Sequence, residues 1–464
     1  MSAPLFTLSQ AAAWIEGALV VGDPQQGIDR VHTDSRSVQA GDLFVALRGE
    51  RFDGHQFLSQ LAALGVKAAM AEHGLPEASL HGLSVPDTRL ALGQLAQGWR
   101  RTHPIGLIAV TGSNGKTTVT QMLAGILRAQ LGAAALATEG NFNNDIGVPL
   151  TLLRLRQGHR MAVLELGMNH PGEIATLAAW AQPTVALVNN AQREHQEFMH
   201  SVRAVAEENG AVLLALPANG IAVFPSDDEH SPLWRAMAQT RPVLTFGDGG
   251  DVSVSQAQRT EFGWQGRLNC ASRAIAFDFQ LNMPGEHNLR NAMAAAACAL
   301  AADISPKAIA SGLAAFAPVA GRSHAQWLQW GSRRITLVDD TYNANPDSVR
   351  AAIDVLAQLP GPHLLVLGDM GEVGEQGPLF HAEVGRYARE CGIEHLLTHG
   401  TLAETAAQAH GQAQHHTDIE HLCAEVDRLC PQVASVLVKG SRFMRMERVV
   451  RHLGAGKTRE AATC

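Results

Sequence analysis

Two hydrophobic rhythms alternate along most of this chain. From Ile105 the apolar run "IGLIAV" precedes a stretch with helical spacing, "VTQMLAGILRAQL". Then come "MAVLELG", "GEIATLAAWA", "TVALVNN", "VRAVAEENGAVLLAL" and "GIAVF". Apolar runs of strand length alternating with helical segments predict a parallel sheet covered on both faces. More β-rich sequence, from "VLTFGDG" to "AIAFDFQL", leads into an Ala-rich helix. After "APVAGRS" the alternation restarts with "RITLVDD", "SVRAAIDVLAQL", "HLLVLGDM", "FHAEVGRYAREC", "HLLTHG" and "SVLVKGS", which predicts a second doubly wound unit. Ahead of both, "DLFVALRG" and "LSVPDT" read as short strands, and "FLSQLAALGVKAAMAE" predicts one amphipathic helix over 57–72. "RRTHP" predicts a linker, because Pro104 disfavours helix at the residue before it. The expected fold class is α/β in three domains, 1–103, 104–320 and 321–464, with a frayed tail "GAGKTREAATC".

Composition narrows the partners. The 464 residues are 46% hydrophobic, and the net charge of −8 is not gathered into any long run of one sign. A general nucleic-acid surface needs clustered Lys and Arg, so none is expected. Six scattered cysteines without a CxxC pair fit reduced thiols better than a disulfide framework or a zinc ribbon. The start, "MSAPLFTLSQAAAWIEG", lacks the basic beginning and cleavage signature of a secretory signal. The most apolar stretch, "AMAAAACALAA", falls short of the ~20 residues that span a bilayer. A soluble, cytoplasmic monomer without membrane insertion is expected.

The chemistry concentrates where strands end. "VTGSNGKTT" joins a predicted strand to a predicted helix, and such a loop curls successive backbone N–H groups around phosphate oxygens. Gly112 and Gly115 supply backbone freedom, Lys116 a charge and Thr117 a hydroxyl for Mg²⁺, with Ser113, Asn114 and Thr118 between and beside them. The strict motif has glycine where this chain has Val110. "GAGKT" near the end follows a helix, so Lys457 reads as a solvated tail residue. Glu165 closes the next apolar strand, within reach of a cation at the same sheet edge, and His195 follows another. Asn141, Asn143 and Asn144 form an Asn cluster of the kind usual in turns. Asn288 and Asn291, three apart at a helix start, suit an N-cap or amide partners for a base. "VDDTYNANPDS", Asp369, Lys439 and Arg442 stand at strand ends of the last unit, where open α/β sheets bind ligands. His421 and Cys423 point to different helix faces, which argues against zinc there.

Taken together, "VTGSNGKTT", "NFNNDIGVP", "ELGMNHPGEI", "GEHNLRNAMAA", "GRS", "DDTYNANP", "VLGDMGEVG" and "VKGSR" resemble the Mur ligases, as does "TDSRSVQAGDLFVALRGERFDGHQF". "DTYNANP" and "LGDMGE" point within the family to the step that adds D-alanyl-D-alanine. The resemblance implies a small UDP-binding N-terminal domain, a central P-loop ATPase domain and a C-terminal Rossmann-like domain. It implies a peptidoglycan-precursor reaction: ATP phosphorylates the carboxylate of UDP-N-acetylmuramoyl-tripeptide, and the D-alanyl-D-alanine amine displaces phosphate from the acyl phosphate. A carboxylate approaching a phosphoryl group meets repulsion of about 4 kcal/mol per charge pair at ~4 Å and effective ε ~20. Lys116 and Mg²⁺ are expected to offset it.

The resemblance also implies roles. Thr117, Glu165 and His195 would hold Mg²⁺; Asn288 and Asn291 would face adenine; Arg322 would meet ATP phosphate or ribose, and Asp339 the ribose hydroxyls. Lys116, Glu165, His195 and Arg322 form the expected catalytic set. Ser35, Arg36, Asp53 and His55 would lie near UDP, with Asn141, Asn144, Tyr342, Asn343, Asn345, Lys439 and Arg442 around the peptide substrates. Roles so far apart in the chain imply closure of the last domain over the P-loop. One departure stands out. The family usually carries a carbamoylated lysine for a second Mg²⁺ where this chain has Asn209, with Glu207 and Glu208 as nearby acids and a Mg²⁺-bound water as the role left to Asn209 itself. Another ATP-dependent amide ligase, such as one making folate polyglutamate, remains an alternative; a GTP switch lacks its NKxD motif.

Overall fold

The structure, a computed structural model, describes residues 4–49 and 52–455. Helix Glu447–Ala455 runs through the first two residues of the predicted frayed tail, Gly454 and Ala455; Lys457 and the rest of it lie outside the described residues. Beside a two-stranded ribbon that pairs Phe6–Thr7 with Gly27–Ile28, three larger sheets follow one another along the chain. The first has five strands in the order Leu19–Val21, His81–Ser84, Ala68–Ala71, Asp42–Val45, Arg30–His32, with only the first antiparallel to its neighbour. The predicted helix over 57–72 is in fact a helix Leu58–Ala63 and a strand Ala68–Ala71. Gly65, at φ +82°, turns the chain between them, and the strand is buried on both faces, so its apolar run carries no strand alternation.

The central sheet has nine strands. Strand Gly106–Thr111 lies between Val185–Val188 and Met161–Glu165, all parallel, as the alternation predicts. Beyond Val252–Thr260, the strands Gly263–Cys270 and Ile275–Leu281 extend the sheet antiparallel. One face packs on helix Lys116–Leu131 and the Ala-rich helix Glu286–Ala301. Alanine at nearly every inward position allows the close approach that this packing needs, and Ala292 and Ala294 to Ala297 are wholly buried.

The expected linker at "RRTHP" is not loose. Helix Thr88–Arg101 runs through its first two residues, and Trp99 and Arg100 are buried against the central unit. Arg100 donates to the carbonyls of Ala181, Ile105 and Gln182, at 2.9, 2.9 and 3.2 Å. These orphan carbonyls at a helix end and strand start take a guanidinium in place of water. One hydrophobic core therefore runs from Phe6 and Leu43, through Leu92 and Leu95, to Leu152 and Leu177.

The last sheet has six strands in the order His324–Trp330, Arg333–Asp340, Ser435–Lys439, His363–Gly368, His395–His399, Gln414–His416; only the first is antiparallel. It carries its own two cores, one per face.

Candidate active site

A cleft of about 1800 Å³ opens where the three units meet. Its floor is the loop after strand Gly106–Thr111. Gly112 (φ +130°) and Gly115 (φ +82°) occupy backbone conformations that side chains resist, and Gly115 caps helix Lys116–Leu131. The loop is braced from the next strand's end. Asn114 N–H donates to Asn190 Oδ1 at 2.9 Å, Asn189 Nδ2 donates to Asn114 O at 2.8 Å, and Gln192 N–H donates to Ser113 Oγ at 2.8 Å. From below, Asn209 Oδ1 accepts from Gly112 N–H at 2.9 Å and from the Thr111 hydroxyl.

Lys116 Nζ donates to Gly112 O and Ser113 O, at 2.5 and 3.1 Å, and pairs with Glu194 Oε2 at 3.2 Å. The Glu194 side chain is 7% exposed. Its Oε1 has no hydrogen-bond partner among the described residues, and neither has Glu165 Oε2. Glu165 sits at the end of the neighbouring strand, opposite Val110, with Oε1 accepting from Asn143 Nδ2 at 2.8 Å. Thr117, Glu165 and His195 line the same cleft, and the unpartnered, buried Glu165 Oε2 is the kind of oxygen donor that suits a hard cation. His195 Nδ1 lies 2.7 Å from Glu372 Oε2, close enough for an ion pair but off-line for a hydrogen bond. That contact holds the Glu372 carboxyl below its ordinary range, against the burial that pushes it up.

The opposite wall comes from the last unit. Arg322 stacks on Tyr342, its guanidinium carbon 3.9 Å from the ring centroid. Lys439 pairs with Asp340 at 2.5 Å and donates to Asn343 O at 2.9 Å. Burial alone would push the Asp340 carboxyl up, but Lys439 and the Ser323 N–H hold it below the carboxylate norm.

The chain matches three family models: "Mur ligase family, catalytic domain" over residues 27–100, "Mur ligase middle domain" over 110–299, and "Mur ligase, glutamate ligase domain" over 326–442. It is 40% identical over 463 residues to the UDP-N-acetylmuramoyl-tripeptide–D-alanyl-D-alanine ligase of Escherichia coli (strain K12), covering 99% of each chain. The chain belongs to the Mur ligase family. Among solved structures, this Mur ligase is similar to a MurF crystal structure from Acinetobacter baumannii, with TM-score 0.91, 35% identity and coverage of 97% and 98% of the two chains. A second likeness is to the Thermotoga maritima MurF ligase in complex with ADP, with TM-score 0.81, 27% identity and coverage of 92% and 97%.

Most residues expected at the site line the cleft of this Mur ligase: Ser113 to Thr118, Asn141, Asn144, Glu165, His195, Asn288, Asn291, Arg322, Tyr342, Asn343, Asn345, Lys439 and Arg442. Several are also used internally. Asn291 Nδ2 donates to Asn288 Oδ1 at 3.1 Å and its Oδ1 accepts from Asn189 Nδ2 at 3.0 Å, so both amides brace the P-loop. Neither is the N-cap of its helix, which is Gly285. Asn345 caps helix Pro346–Ala357, and Asn144 Oδ1 accepts from the N–H of Gly147 at 2.9 Å, just ahead of helix Gly147–Leu152, whose N-cap is Ile146.

Other expectations need correcting. Asp339 faces away from the cleft, its carboxylate accepting from Gly321 N–H at 3.1 Å and the Thr341 hydroxyl at 2.7 Å; Asp340 lines the cleft instead. Asp369 also leaves the site, because the N–H groups of Thr401, Leu402 and Ala403 consume it as a helix cap. His55 is a buried brace: Nδ1 lies 2.6 Å from Asp53, Nε2 accepts from Glu72 N–H at 3.0 Å, and the ring stacks on His73. The His55 contact holds Asp53 down to about 2. Ser35 and Arg36 lie in a surface turn, with Arg36 paired to Asp34. From the first unit the cleft takes Asp87, Arg89 and Leu90, where Arg89 reaches Asp145 at 3.3 Å. Asn209 does not keep a lone pair for a cation's water, since two donors take its Oδ1. Glu208 caps helix Glu173–Ala181 and Glu207 pairs with Arg203. Glu194, Asn189, Gln192 and Arg193 were missed, although "NNAQREH" placed them next to His195.

Proposed function

We propose that this Mur ligase joins D-alanyl-D-alanine to UDP-N-acetylmuramoyl-tripeptide with ATP, through an acyl phosphate, as a step of peptidoglycan precursor synthesis. The observation that carries this is the single cleft in which a P-loop lysine faces Arg322 and Lys439 of another unit, in a chain so similar to an enzyme of that name. The N–H groups of the loop cradle the phosphates of ATP, and Lys116 places a positive charge where the γ-phosphate loses its bond to ADP. Arg322, held flat on Tyr342, presents a second cation from across the cleft. The substrate carboxylate oxygen bonds to phosphorus; ADP leaves; the incoming amine then attacks the carbonyl carbon, loses a proton and expels phosphate. Closure of the walls excludes the water that would hydrolyse the acyl phosphate.

Thr117, Glu165 and His195 would hold Mg²⁺, which would supply charge neutralisation between the two anions when bound. The domain division at 103 and 320, the placement of UDP near the first unit, and a monomer in the cytoplasm belong to the same proposal. No helix among the described residues is long and apolar enough to cross a membrane.

The test is ATP-dependent phosphate release with UDP-N-acetylmuramoyl-tripeptide, with and without D-alanyl-D-alanine. Stimulation by the dipeptide and not by single amino acids is expected. Equal stimulation by a single amino acid would assign the chain to a different ligase step. Asn209 offers a second prediction. Asn209→Ala leaves the Gly112 N–H and the Thr111 hydroxyl without their acceptor, a cost of about 1–3 kcal/mol, and should raise the ATP concentration for half-maximal rate by loosening the P-loop. Asn209→Asp keeps the acceptor and should stay closer to wild type. Titration of the three proteins in CO₂-depleted buffer checks this, and no rate should return on adding bicarbonate, because an amide forms no carbamate.

A further inference from the structure

Three consecutive residues after strand Val185–Val188 reach three different partners. Glu194 holds Lys116, and His195 lies against Glu372 of the last unit. Arg193 makes the largest set of contacts. Its backbone N–H donates to Asp347 Oδ2 at 2.8 Å, and its guanidinium reaches Asp347 Oδ1 at 2.6 Å. The same guanidinium forks onto both oxygens of Glu383, at 2.7 and 3.0 Å, and lies 5.3 Å from the Phe380 ring centroid. The three side chains are 24%, 23% and 26% exposed, so this pair of bidentate contacts is largely withdrawn from water.

Both carboxylates belong to the last unit. Asp347 stands in the first turn of helix Pro346–Ala357, whose cap, Asn345, exchanges amide hydrogen bonds with Asn114 of the P-loop at 3.0 and 3.3 Å. The N-terminus of that helix is thus seated on the P-loop by the amide pair and on the adjoining loop by Arg193. Tyr342 and Asn343 lie just before that helix, so the seat also fixes the wall on which Arg322 stacks.

We propose that Arg193 is a positioning residue for phosphoryl transfer: it clamps Asp347 and Glu383, and through the adjacent peptide bonds it keeps Glu194 on Lys116 and His195 on Glu372. Arrival of the last unit and alignment of the P-loop lysine are then one event. A lysine in its place serves one carboxylate and not both, because an ammonium lacks the planar fork. This rests on the ligase reading above and names the residue that couples closure to it.

The experiment uses the full chain with Arg193→Gln, Arg193→Lys and Glu383→Gln, and Arg203→Gln as a control, since the Arg203–Glu207 pair lies on an exposed helix face. Phosphate release is measured against each substrate, binding of a non-hydrolysable ATP analogue by calorimetry, and the radius of gyration by small-angle scattering. For Arg193→Gln, analogue affinity should stay within about threefold, because the P-loop is intact. Its kcat should fall about tenfold or more, as misplacement of reacting groups costs rate. Its radius with analogue should exceed that of wild type. Glu383→Gln should shift in the same direction, Arg193→Lys should fall between, and Arg203→Gln should match wild type. Should Arg193→Gln not fold, Glu383→Gln carries the test with Arg193 intact. Wild-type kcat and wild-type radius in Arg193→Gln or Glu383→Gln would overturn the proposal. A wild-type protein that releases no phosphate with both substrates would instead overturn the ligase reading, and the scattering comparison would still judge the clamp.

Discussion

Lys116→Ala is expected to lower kcat for phosphate release by at least about a hundredfold, a barrier increase of ~2.7 kcal/mol, and also to lower the melting temperature. The first effect follows from the place of Nζ at the head of the loop, where charge redistributes during transfer. The second follows from Glu194, whose side chain is buried and whose one cationic contact within hydrogen-bond distance among the described residues is Lys116. Removing the lysine strands that carboxylate at a cost of roughly 1–3 kcal/mol, less than in a dry core because the cleft admits water. Phosphate release and thermal unfolding run side by side separate the two effects. Adding Glu194→Gln to Lys116→Ala should restore melting without restoring turnover. More than about a tenth of wild-type kcat in Lys116→Ala, a barrier change below ~1.4 kcal/mol, would remove the lysine from the mechanism.

Gly115→Ala should weaken nucleotide binding more than about tenfold, ~1.4 kcal/mol, with a smaller effect on melting. The residue is held at φ +82°, where a side chain costs about 1–2 kcal/mol. A Cβ there would also stand 2.7 Å from Asn189 Nδ2 and inside the van der Waals envelope of Asn291 Oδ1. Those two amides are bonded to each other, and Asn291 to Asn288, so the methyl group must shift the brace or the loop. Gly132 is the control. It too has positive φ, +57°, but a Cβ there meets nothing within 4 Å among the described residues. Gly132→Ala should therefore show strain in melting and unchanged affinity. Calorimetric titration with ADP checks both, and equal losses in the two variants would refute the collision argument.

The alternation of buried strands and helices was legible because parallel strands covered on both faces leave continuous apolar runs, and the P-loop because its glycines and lysine have one efficient use. Other features depend on tertiary placement. Between Asp339 and Asp340, adjacent residues of one strand, the choice turns on which faces the cleft, and the sequence carries no sign of that. His55 and Asp369 look like ligand groups until the N–H groups they accept from are located, and those lie 17 and 32 to 34 residues away. Glu194 and Arg193 were hidden differently: their partners, Lys116 and the Asp347–Glu383 pair, sit 78, 154 and 190 residues off in the chain. Helix Thr88–Arg101 escaped notice because its small apolar face, with Ala91, Gly93 and Ala96 among the buried positions, is fitted to a neighbour and not to a hydrophobic average.

That helix makes the molecule severable at one joint and not at the other. Leu92, Leu95 and Trp99 share a core with Ile174, Leu177 and Trp180, and a Cβ on Gly93 would run into the Trp180 ring. A chain cut after residue 103 would not yield a free-standing first unit, since each fragment would bare half of an interior. The last sheet encloses two cores drawn wholly from residues beyond 324. In recombination between relatives, the final third of the chain can travel as a cassette, whereas the first third must be inherited together with the P-loop it is packed against.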